Sequence, residues 1–583
     1  MAEHEHGCGY EHEHPHGADG DAGCHCSGSG SELVRFSVTA PDDLLRRFDE
    51  QIARRGDVAN RSEAVRDLIR ASIAKEQMRT PDEHVIGSLT MIYDHHTGDL
   101  TRRLDEVQHD YTDEIVSTMH VHLDHHNCLE ILALKGRGER VYELADRVQT
   151  CALPIYVTGI VQGVGMRPFV YREAMAHGIC GWVLNAGDGV HIEAHAPADA
   201  LDAFVAALSE HAPAAARVER VDIADLGPGG WSAANEQGFR IVASQDQTAH
   251  TTLVSPDIAT CDDCLRELFD PADRRYHYPF INCTNCGPRF TIIRSLPYDR
   301  AATSMDRFPM CPKCAAEYAD PLDRRFHAQP DACFDCGPHI TWREAGVGDG
   351  PGEAAASLAV GTTREASDAI IDRCVELLAS GGIVAIKGLG GFHLSCDAAN
   401  EQAVAELRRR KRRSNKPLAV MVRSLADAGR LCHIDDAERN LLAGSIRPIV
   451  LLRRRAVCGN DGDSSDALVL APSVARDLPE LGVMLPYTPL QHLLLAVAEA
   501  CGMHALVMTS GNLSEEPIET DDDLAWERLV AAGIADALLG NDRAILSRYD
   551  DSVVRVVNGA VMPVRRARGY APQPLPLPAL DRA

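Results

Sequence analysis

Four Cys-x-x-Cys pairs constrain this chain more than any other feature: Cys261/Cys264, Cys283/Cys286, Cys311/Cys314 and Cys333/Cys336. The intervals between pairs are 18, 24 and 18 residues, which describes two similar modules of two pairs each. Four thiolates complete a tetrahedral zinc site and leave no position open for water, so two structural zinc ions are expected. In this reading zinc replaces a core that the segment's sparse aliphatics cannot build. One Cys-x-x-Cys can be a thiol–disulfide site, but four in register rarely are. The chain carries 19 cysteines in 583 residues, with a polar N-terminus and no apolar run of the roughly 18 residues that span a bilayer. Secretion is therefore not indicated, and a cytoplasmic protein without a membrane partner is expected. A net charge of −27 argues against a chain that coats nucleic acid as a whole. Length suggests about four domains at roughly 150 residues each.

Residues 1–30 hold His4, His6, His12, His14, His16 and His25 with Cys8, Cys24 and Cys26, and nothing apolar to bury. A disordered tail is expected, either a solvated tail, a leftover tag or a loose trap for divalent metal. Residues 31–78 read as one strand and two helices, the second opened by the capping sequence Asn60-Arg61-Ser62-Glu63 with Val65, Leu68, Ile69 and Ile73 on one face. So short a unit buries too little alone and implies a dimer. It resembles the ribbon-helix-helix DNA-binding family, and the resemblance implies that Arg35, Ser37 and Thr39 face the bases of operator DNA.

Residues 79–147 form the next unit, and residues 85–150 read as strand, helix, strand, strand, helix. His120 and His122 share one face of a strand, Cys128 opens the next, and His109 ends the preceding helix. Three imidazoles and a thiolate suit Ni(II) or Cu(II), whereas exposed strand histidines taken singly are ordinary solvated residues. From about Val34 to Gln149 the pattern is similar to the NikR family of nickel-responsive regulators. That implies Ni2+ bound by His120, His122 and Cys128, with His109 completing a neighbour's site and homo-oligomerisation through this region. The family continues beyond Tyr142–Arg147 into a further strand. The nickel domain is therefore expected to be incomplete, with an unpaired sheet edge prone to aggregation. Residues 148–155, Val-Gln-Thr-Cys-Ala-Leu-Pro-Ile, fit neither neighbour and translate, codon by codon, a common sequencing-library adapter. A join of two truncated genes is the expectation at this seam. A genuine fusion through a short linker is the alternative, although linkers are usually rich in Gly, Ser or Pro.

From Tyr156 a strand enters the turn Gln162-Gly163-Val164-Gly165-Met166 and ends at Arg167. Backbone amides in such a turn form an anion nest, and an arginine beyond it can fork onto two phosphate oxygens. With Asn185 on a second strand, residues 156–245 resemble acylphosphatase and its ferredoxin-like βαββαβ fold. The resemblance implies that Arg167 binds an acyl phosphate and Asn185 orients the attacking water. After the zinc segment, 255–340, comes a Gly/Ala/Glu-rich linker, 341–364. An α/β segment follows at 365–572, with a tail at 573–583. Six consecutive cations, Arg408 to Arg413, are either a solvated helix end or a polyphosphate pocket. Lys411-x-Arg413 and Ser510-x-Asn512 are similar to the nucleotide pocket of the YrdC family. That implies ATP with Mg2+, phosphates on Lys387, Lys411 and Arg413, and the nucleotide or acyl group on Ser510 and Asn512. Gly-x-x-x-x-Gly-Lys-Ser/Thr is absent, which disfavours a P-loop ATPase.

The sequence thus specifies a multidomain α+β and α/β chain: ribbon-helix-helix, ferredoxin-like βαββαβ domains, zinc modules and a YrdC-like α/β domain. Acylphosphatase, paired zinc modules and a YrdC-like domain, in that order over about 156–572, resemble the HypF carbamoyltransferases of [NiFe] hydrogenase maturation. The resemblance implies cleavage of carbamoyl phosphate, formation of a carbamoyl adenylate and transfer to a C-terminal cysteine of HypE. The family's final transfer domain is expected to be missing after Ala583. The alternative is a nickel-responsive ribbon-helix-helix transcriptional regulator; a genuine fusion would couple the two.

Overall fold

A computed structural model describes residues 84–94, 100–125, 127–223, 238–245, 251–345, 358–455, 468–513 and 516–575. The His/Cys-rich tail and the ribbon-helix-helix segment, with Arg35, Ser37 and Thr39, lie outside the described residues. Among the described residues no helix is long and apolar enough to cross a membrane.

The order strand, helix, strand, strand, helix appears as expected. It comprises β1 (His84–Asp94), the helix Leu100–Asp110, β2 (Ile115–His122), β3 (Asn127–Arg137) and the helix Gly138–Gln149. The sheet runs β1-β3-β2, and Leu89, Leu132, Leu134, Val141 and Leu144 pack with Tyr111 on its covered face.

β4 (Thr150–Ile160) follows directly. The last six seam residues are thus strand and not a loose connector: the backbone of 150–157 pairs antiparallel with β6, from Thr150 opposite Pro197 to Val157 opposite Val190. Pro154 is tolerated because pairing with β7 begins only at Ile155, so a ladder hydrogen bond on that side is not lost. With the helix Met166–Ala176, β5 (Cys180–Ala186), β6 (Gly189–Pro197), the helix Ala198–Glu210 and β7 (Arg217–Ile223), the segment is βαββαβ. β8 (Phe239–Ile241) joins β5 in parallel, giving the order β7-β4-β6-β5-β8. Ile155 and Val157 point into the core between partly exposed neighbours, the two-residue period of a half-buried strand.

The larger sheet has 11 strands. They are β9 (Ile340–Glu344), β10 (Ala359–Val360), β11 (Val384–Lys387), β12 (Phe392–Asp397), β13 (Val420–Val422), β14 (Ile449–Arg453), β15 (Glu480–Met484), β16 (Ala505–Ser510), β17 (Ala537–Asn541), β18 (Val553–Val557) and β19 (Ala560–Arg565). Their order is β10-β9-β17-β11-β12-β16-β13-β15-β14-β18-β19. The linker reading of 341–364 is corrected at both ends. Thr341–Glu344 belong to β9, hydrogen-bonded to β17, and Ala359–Val360 form β10.

Alternation along the strands builds two cores. Ile383 and Ala385 face one, with Val404 and Leu407 of the helix Glu401–Arg410. Val384 and Ile386 face the other, with Ile370, Cys374 and Leu378 of the helix Arg364–Ala379. The second core also takes in Leu268, Tyr278, Phe280, Ile281, Ile292 and Met305 of the zinc segment. The expectation that zinc replaces an absent core is therefore corrected. The segment is poor in aliphatics, but its aromatics dock on the sheet and share its interior. The buried Cys374, Cys396 and Cys432 are thiols whose pKa burial pushes up, for Cys432 to about 12.

Candidate functional site

The turn after β4 needs glycine twice: Gly163 and Gly165 are left-handed, φ 73° and 80°, and Gly165 caps the helix that begins at Met166. This swings Arg167 into the first helical turn, where it is buried. With its amide oxygen turned toward Arg167, Asn185 accepts from Nε and Nη2 at 3.1 Å each. Arg167 Nη1 also donates to Ser244 Oγ at 3.3 Å and Nη2 to Asp299 Oδ1 at 2.9 Å. The two residues that sequence paired 18 positions apart are thus in direct contact, at a recess of about 330 Å³.

No motif announced the far wall of that recess. Thr284, Arg289, Tyr298, His327 and Gln329 of the zinc segment line it. Buried Arg289 donates to the Gly163 carbonyl and, at 2.8 Å, to that of Thr284. Gln162 ties the turn to the Ala186 and Gly189 carbonyls at 2.6 and 2.9 Å and accepts from the Tyr298 amide at 2.9 Å. Two of these contacts, Arg289 to Gly163 and Tyr298 to Gln162, link positions more than a hundred residues apart, beyond the reach of any local motif.

The eight zinc-segment cysteines form two groups, each with all four Sγ atoms within 4.8 Å of one another: Cys261, Cys264, Cys283, Cys286 and Cys311, Cys314, Cys333, Cys336. Neighbouring Sγ atoms are 3.5–3.9 Å apart. Zinc–sulfur bonds of about 2.3 Å require tetrahedral edges of about 3.8 Å, whereas a disulfide needs about 2 Å. The donor sets therefore fit zinc. The modules also clamp each other. Arg274 Nη2 donates to Cys314 Sγ at 3.2 Å, and Arg324 Nη1 donates to Cys264 Sγ at 3.2 Å. Arg274 and Arg275 hold Glu317, while Arg324 and Arg325 hold Glu267. Each partner has its counterpart at a constant offset of 50, as 264 to 314, 267 to 317 and 274 to 324 show. N–H donors on a thiolate disperse its charge and fix its direction, the usual task of groups around a metal site.

In the large sheet four of the five expected nucleotide-pocket residues converge. Lys411 Nζ donates to the Ser510 carbonyl and, at 2.7 Å each, to the carbonyl and Oδ1 of Asn512. Ser510 Oγ donates to Asn512 Oδ1 at 2.8 Å, and Arg413 Nη1 to Thr509 Oγ1 at 3.0 Å. Burial, with Arg413 close by, brings the Lys411 pKa down to about 7, so its charge depends on what it binds. Lys387 does not join them; its ammonium, at the end of β11, donates to Asp522 and, at 2.8 Å, to the Asn541 carbonyl. The six-cation run divides its labour. Arg408 is buried on the Ser473 and Val474 carbonyls, Arg409 and Arg410 pair with Glu406, and Lys411 and Arg413 face the site. Sequence reasoning missed buried His393, which stands opposite Ser510 in the β12–β16 ladder and meets Asp551 Oδ2 at 2.9 Å. A histidine inside a short, mostly buried strand was its only signal.

On β2 and β3, His122 stands opposite Cys128 and His120 opposite Glu130, so the two imidazoles and the thiol share a face. His122 Nδ1 lies 3.1 Å from Cys128 Sγ, and the three ligand atoms are within 4.8 Å of one another. Two nitrogens and a sulfur fit a soft-to-borderline divalent ion such as nickel. His109, exposed on the helix Leu100–Asp110, is not part of this group.

Family models match the chain in consecutive blocks. They are a ribbon-helix-helix protein of the copG family at 34–76, the NikR C terminal nickel binding domain at 86–152 and acylphosphatase at 153–241. The HypF finger follows at 260–293 and 310–343, and the Sua5/YciO/YrdC family, described as telomere recombination, at 376–567. The chain is similar to the carbamoyltransferase HypF2 of Cupriavidus necator, 50% identical over 445 residues, 74% of this chain and 51% of that protein. It is also similar to a crystal structure of full-length HypF in the phosphate- and nucleotide-bound form. There the TM-score is 0.64 at 45% identity, over 73% of this chain and 51% of that one. The chain thus spans about half the length of these relatives. A putative nickel-responsive regulator of Desulfovibrio desulfuricans is 53% identical over 119 residues, 20% of this chain and 85% of the regulator.

Proposed function

We propose that this chain, which is similar to the HypF carbamoyltransferases over about half their length and carries a segment of the nickel-responsive regulator family ahead of that part, carries out the opening steps of carbamoyl transfer. The observation that carries the proposal is the contact of Arg167 with Asn185 behind the Gly163–Arg167 turn. The turn amides and the Arg167 fork hold the phosphate of carbamoyl phosphate, and Asn185 orients a water molecule. Hydrolysis yields phosphate and carbamate. Carbamate then passes to the pocket of Lys411, Arg413, Ser510 and Asn512. There its carboxylate oxygen attacks the α-phosphorus of ATP and pyrophosphate leaves. Mg2+ on the triphosphate would neutralise part of the leaving charge. In the proposal the carbamoyl acceptor is a C-terminal cysteine of HypE and the setting is cytoplasmic. Arg167→Ala should reduce phosphate release from carbamoyl phosphate by about 10²–10³-fold, the scale for losing one charge-stabilising donor. Unchanged release would sink the reading.

A second activity is favoured by a separate observation, the His120, His122 and Cys128 group. We propose that it binds Ni2+ and that the segment ahead of it, with Arg35, Ser37 and Thr39, binds operator DNA as an oligomer. Exposed Val116, Met119 and Val121 on the edge strand β2 support self-association. Nickel-dependent DNA binding that survives His120→Ala would contradict this. The join itself is proposed to be artefactual, since two family matches abut at 152/153 inside the adapter-like seam. A genomic amplification product of the expected length across residues 148–155 would refute that.

A further inference from the structure

Among the groups of the recess that the proposed hydrolysis leaves unused, one has an unmet polar atom. His327 lines the recess together with Arg167, Gln329 and the Gly163–Arg167 turn. Its Nδ1 is buried and has no hydrogen-bond partner. A buried polar atom left unmet is costly, so it calls for an explanation. The histidine ring is fixed by Phe326 and Tyr318, whose ring centroids lie 4.6 and 4.9 Å away.

The duplicated module supplies an internal control. His277, the counterpart fifty residues earlier, has the same left-handed backbone, φ 59° against 54° for His327. The strain therefore belongs to the module and says nothing about a ligand. The imidazoles differ in what they meet. His277 Nδ1 is satisfied by Asp368 Oδ1 at 2.9 Å, whereas His327 has no carboxylate there and sits at the recess. Burial, and then the nearby charge of Arg167, brings the His327 pKa down to about 4. At neutral pH the ring is uncharged and one of its nitrogens keeps a lone pair that can accept a hydrogen bond.

We propose that His327 Nδ1 accepts a hydrogen bond from the amino group of carbamoyl phosphate, and so selects the carbamoyl group against acyl groups that end in carbon. This rests on the acylphosphatase reading of the Arg167 site. Acetyl phosphate, with a methyl in place of the amino group, has nearly the same size and the same phosphate. The turn and Arg167 treat the two alike; only a correctly placed acceptor tells them apart.

The test is the ratio of kcat/KM for carbamoyl phosphate over acetyl phosphate in the full chain. The wild-type ratio should be at least about tenfold, the worth of one good hydrogen bond. His327→Phe should lower that ratio about tenfold by slowing carbamoyl phosphate alone. His327→Asn should keep most of the ratio, because asparagine tolerates the left-handed backbone and places an oxygen where Nδ1 stood. His277→Phe should leave the ratio where it was. A ratio near one in the wild type, or a parallel fall for both substrates in His327→Phe, overturns the inference. If the wild-type chain hydrolyses neither acyl phosphate, the Arg167 reading itself fails and takes the inference with it. A defect in folding lowers both rates together, so it cannot imitate the expected change.

Discussion

The two zinc modules are built from one plan and face different surroundings. Both hold four sulfur ligands in a near-tetrahedral group, both send arginines to the other's thiolate and glutamate, and both carry a left-handed histidine. They diverge where they meet the rest of the chain. The first module turns Tyr278, Phe280 and Ile281 into the core of the large sheet. The counterparts fifty residues on are Ala328, Pro330 and Asp331, and Ala328, with His327 and Gln329, borders the recess at Arg167. What the modules share is scaffold, set by metal geometry and the crossed arginines. What they do not share marks the surface each serves: one anchors the sheet, the other closes a site.

The largest effect should come from the shared part. Cys264→Ser and Cys314→Ser each break a closed ligand set and should cost about 5 kcal/mol or more, a fraction of what a structural zinc contributes. Elemental analysis should find one zinc per chain in each. Because the arginine of one module binds the thiolate of the other, both variants should also loosen the surviving module, read as faster loss of its zinc to a chelator. Independent behaviour would show the clamp to be incidental.

Arg275 and Arg325 sharpen the comparison at Asp331, a fully buried carboxylate whose counterpart is Ile281. Arg275 Nη2 reaches Asp331 at 2.8 Å, Arg325 Nε only at 3.5 Å. Arg275→Met should therefore cost about 3–5 kcal/mol, the scale for orphaning a buried charge, and Arg325→Met distinctly less. Equal losses in denaturant titrations would erase the asymmetry.

Acid titration tests the shared glutamates. Burial alone would raise the Glu317 pKa, but hydrogen bonds from Arg275 and Arg274 outweigh it and bring it from 4.5 down to about 2. A depressed carboxylate pKa adds stability that is present above about pH 4.5 and lost as pH falls toward 2. Wild type should exceed Glu317→Gln by about 2 kcal/mol at pH 6, and the gap should close by pH 2. Glu267, held below its ordinary value against burial by Arg324 and Arg325, should behave in the same direction. A gap that does not change with pH would remove electrostatics from the clamp.

How far these features could be read in advance depended on what enforces them. Zinc dictates both residue type and spacing, so the eight ligands were plain in the sequence. Arg167, Asn185 and the Lys411, Arg413, Ser510, Asn512 set were legible because turns and strand ends hold them at short, fixed offsets. Lys387 stands apart from that set, and its partners, Asp522 and Asn541, come from distant elements that only the folded sheet assembles. Asp299, Arg289 and His327 were invisible for the same reason: the recess they close exists only once two segments meet. The seam's strand was hidden by composition that suits neither neighbour, although β pairing asks little more of its residues than backbone groups.

The smallest expected effect separates the two histidines most cleanly. Asp368→Ala strips His277 of its partner, leaving its twin His327 untouched. Both members of that pair are partly exposed, with side chains 25% and 31% accessible, so water replaces the lost carboxylate at little cost. The loss should be about 0.5 kcal/mol, within the range of surface ion pairs. The ratio of carbamoyl to acetyl phosphate hydrolysis should not move, since His277 faces the helix Arg364–Ala379 and not the recess. A shifted ratio would mean that the first module also reaches the acyl group, and the division between anchoring and closing would fail.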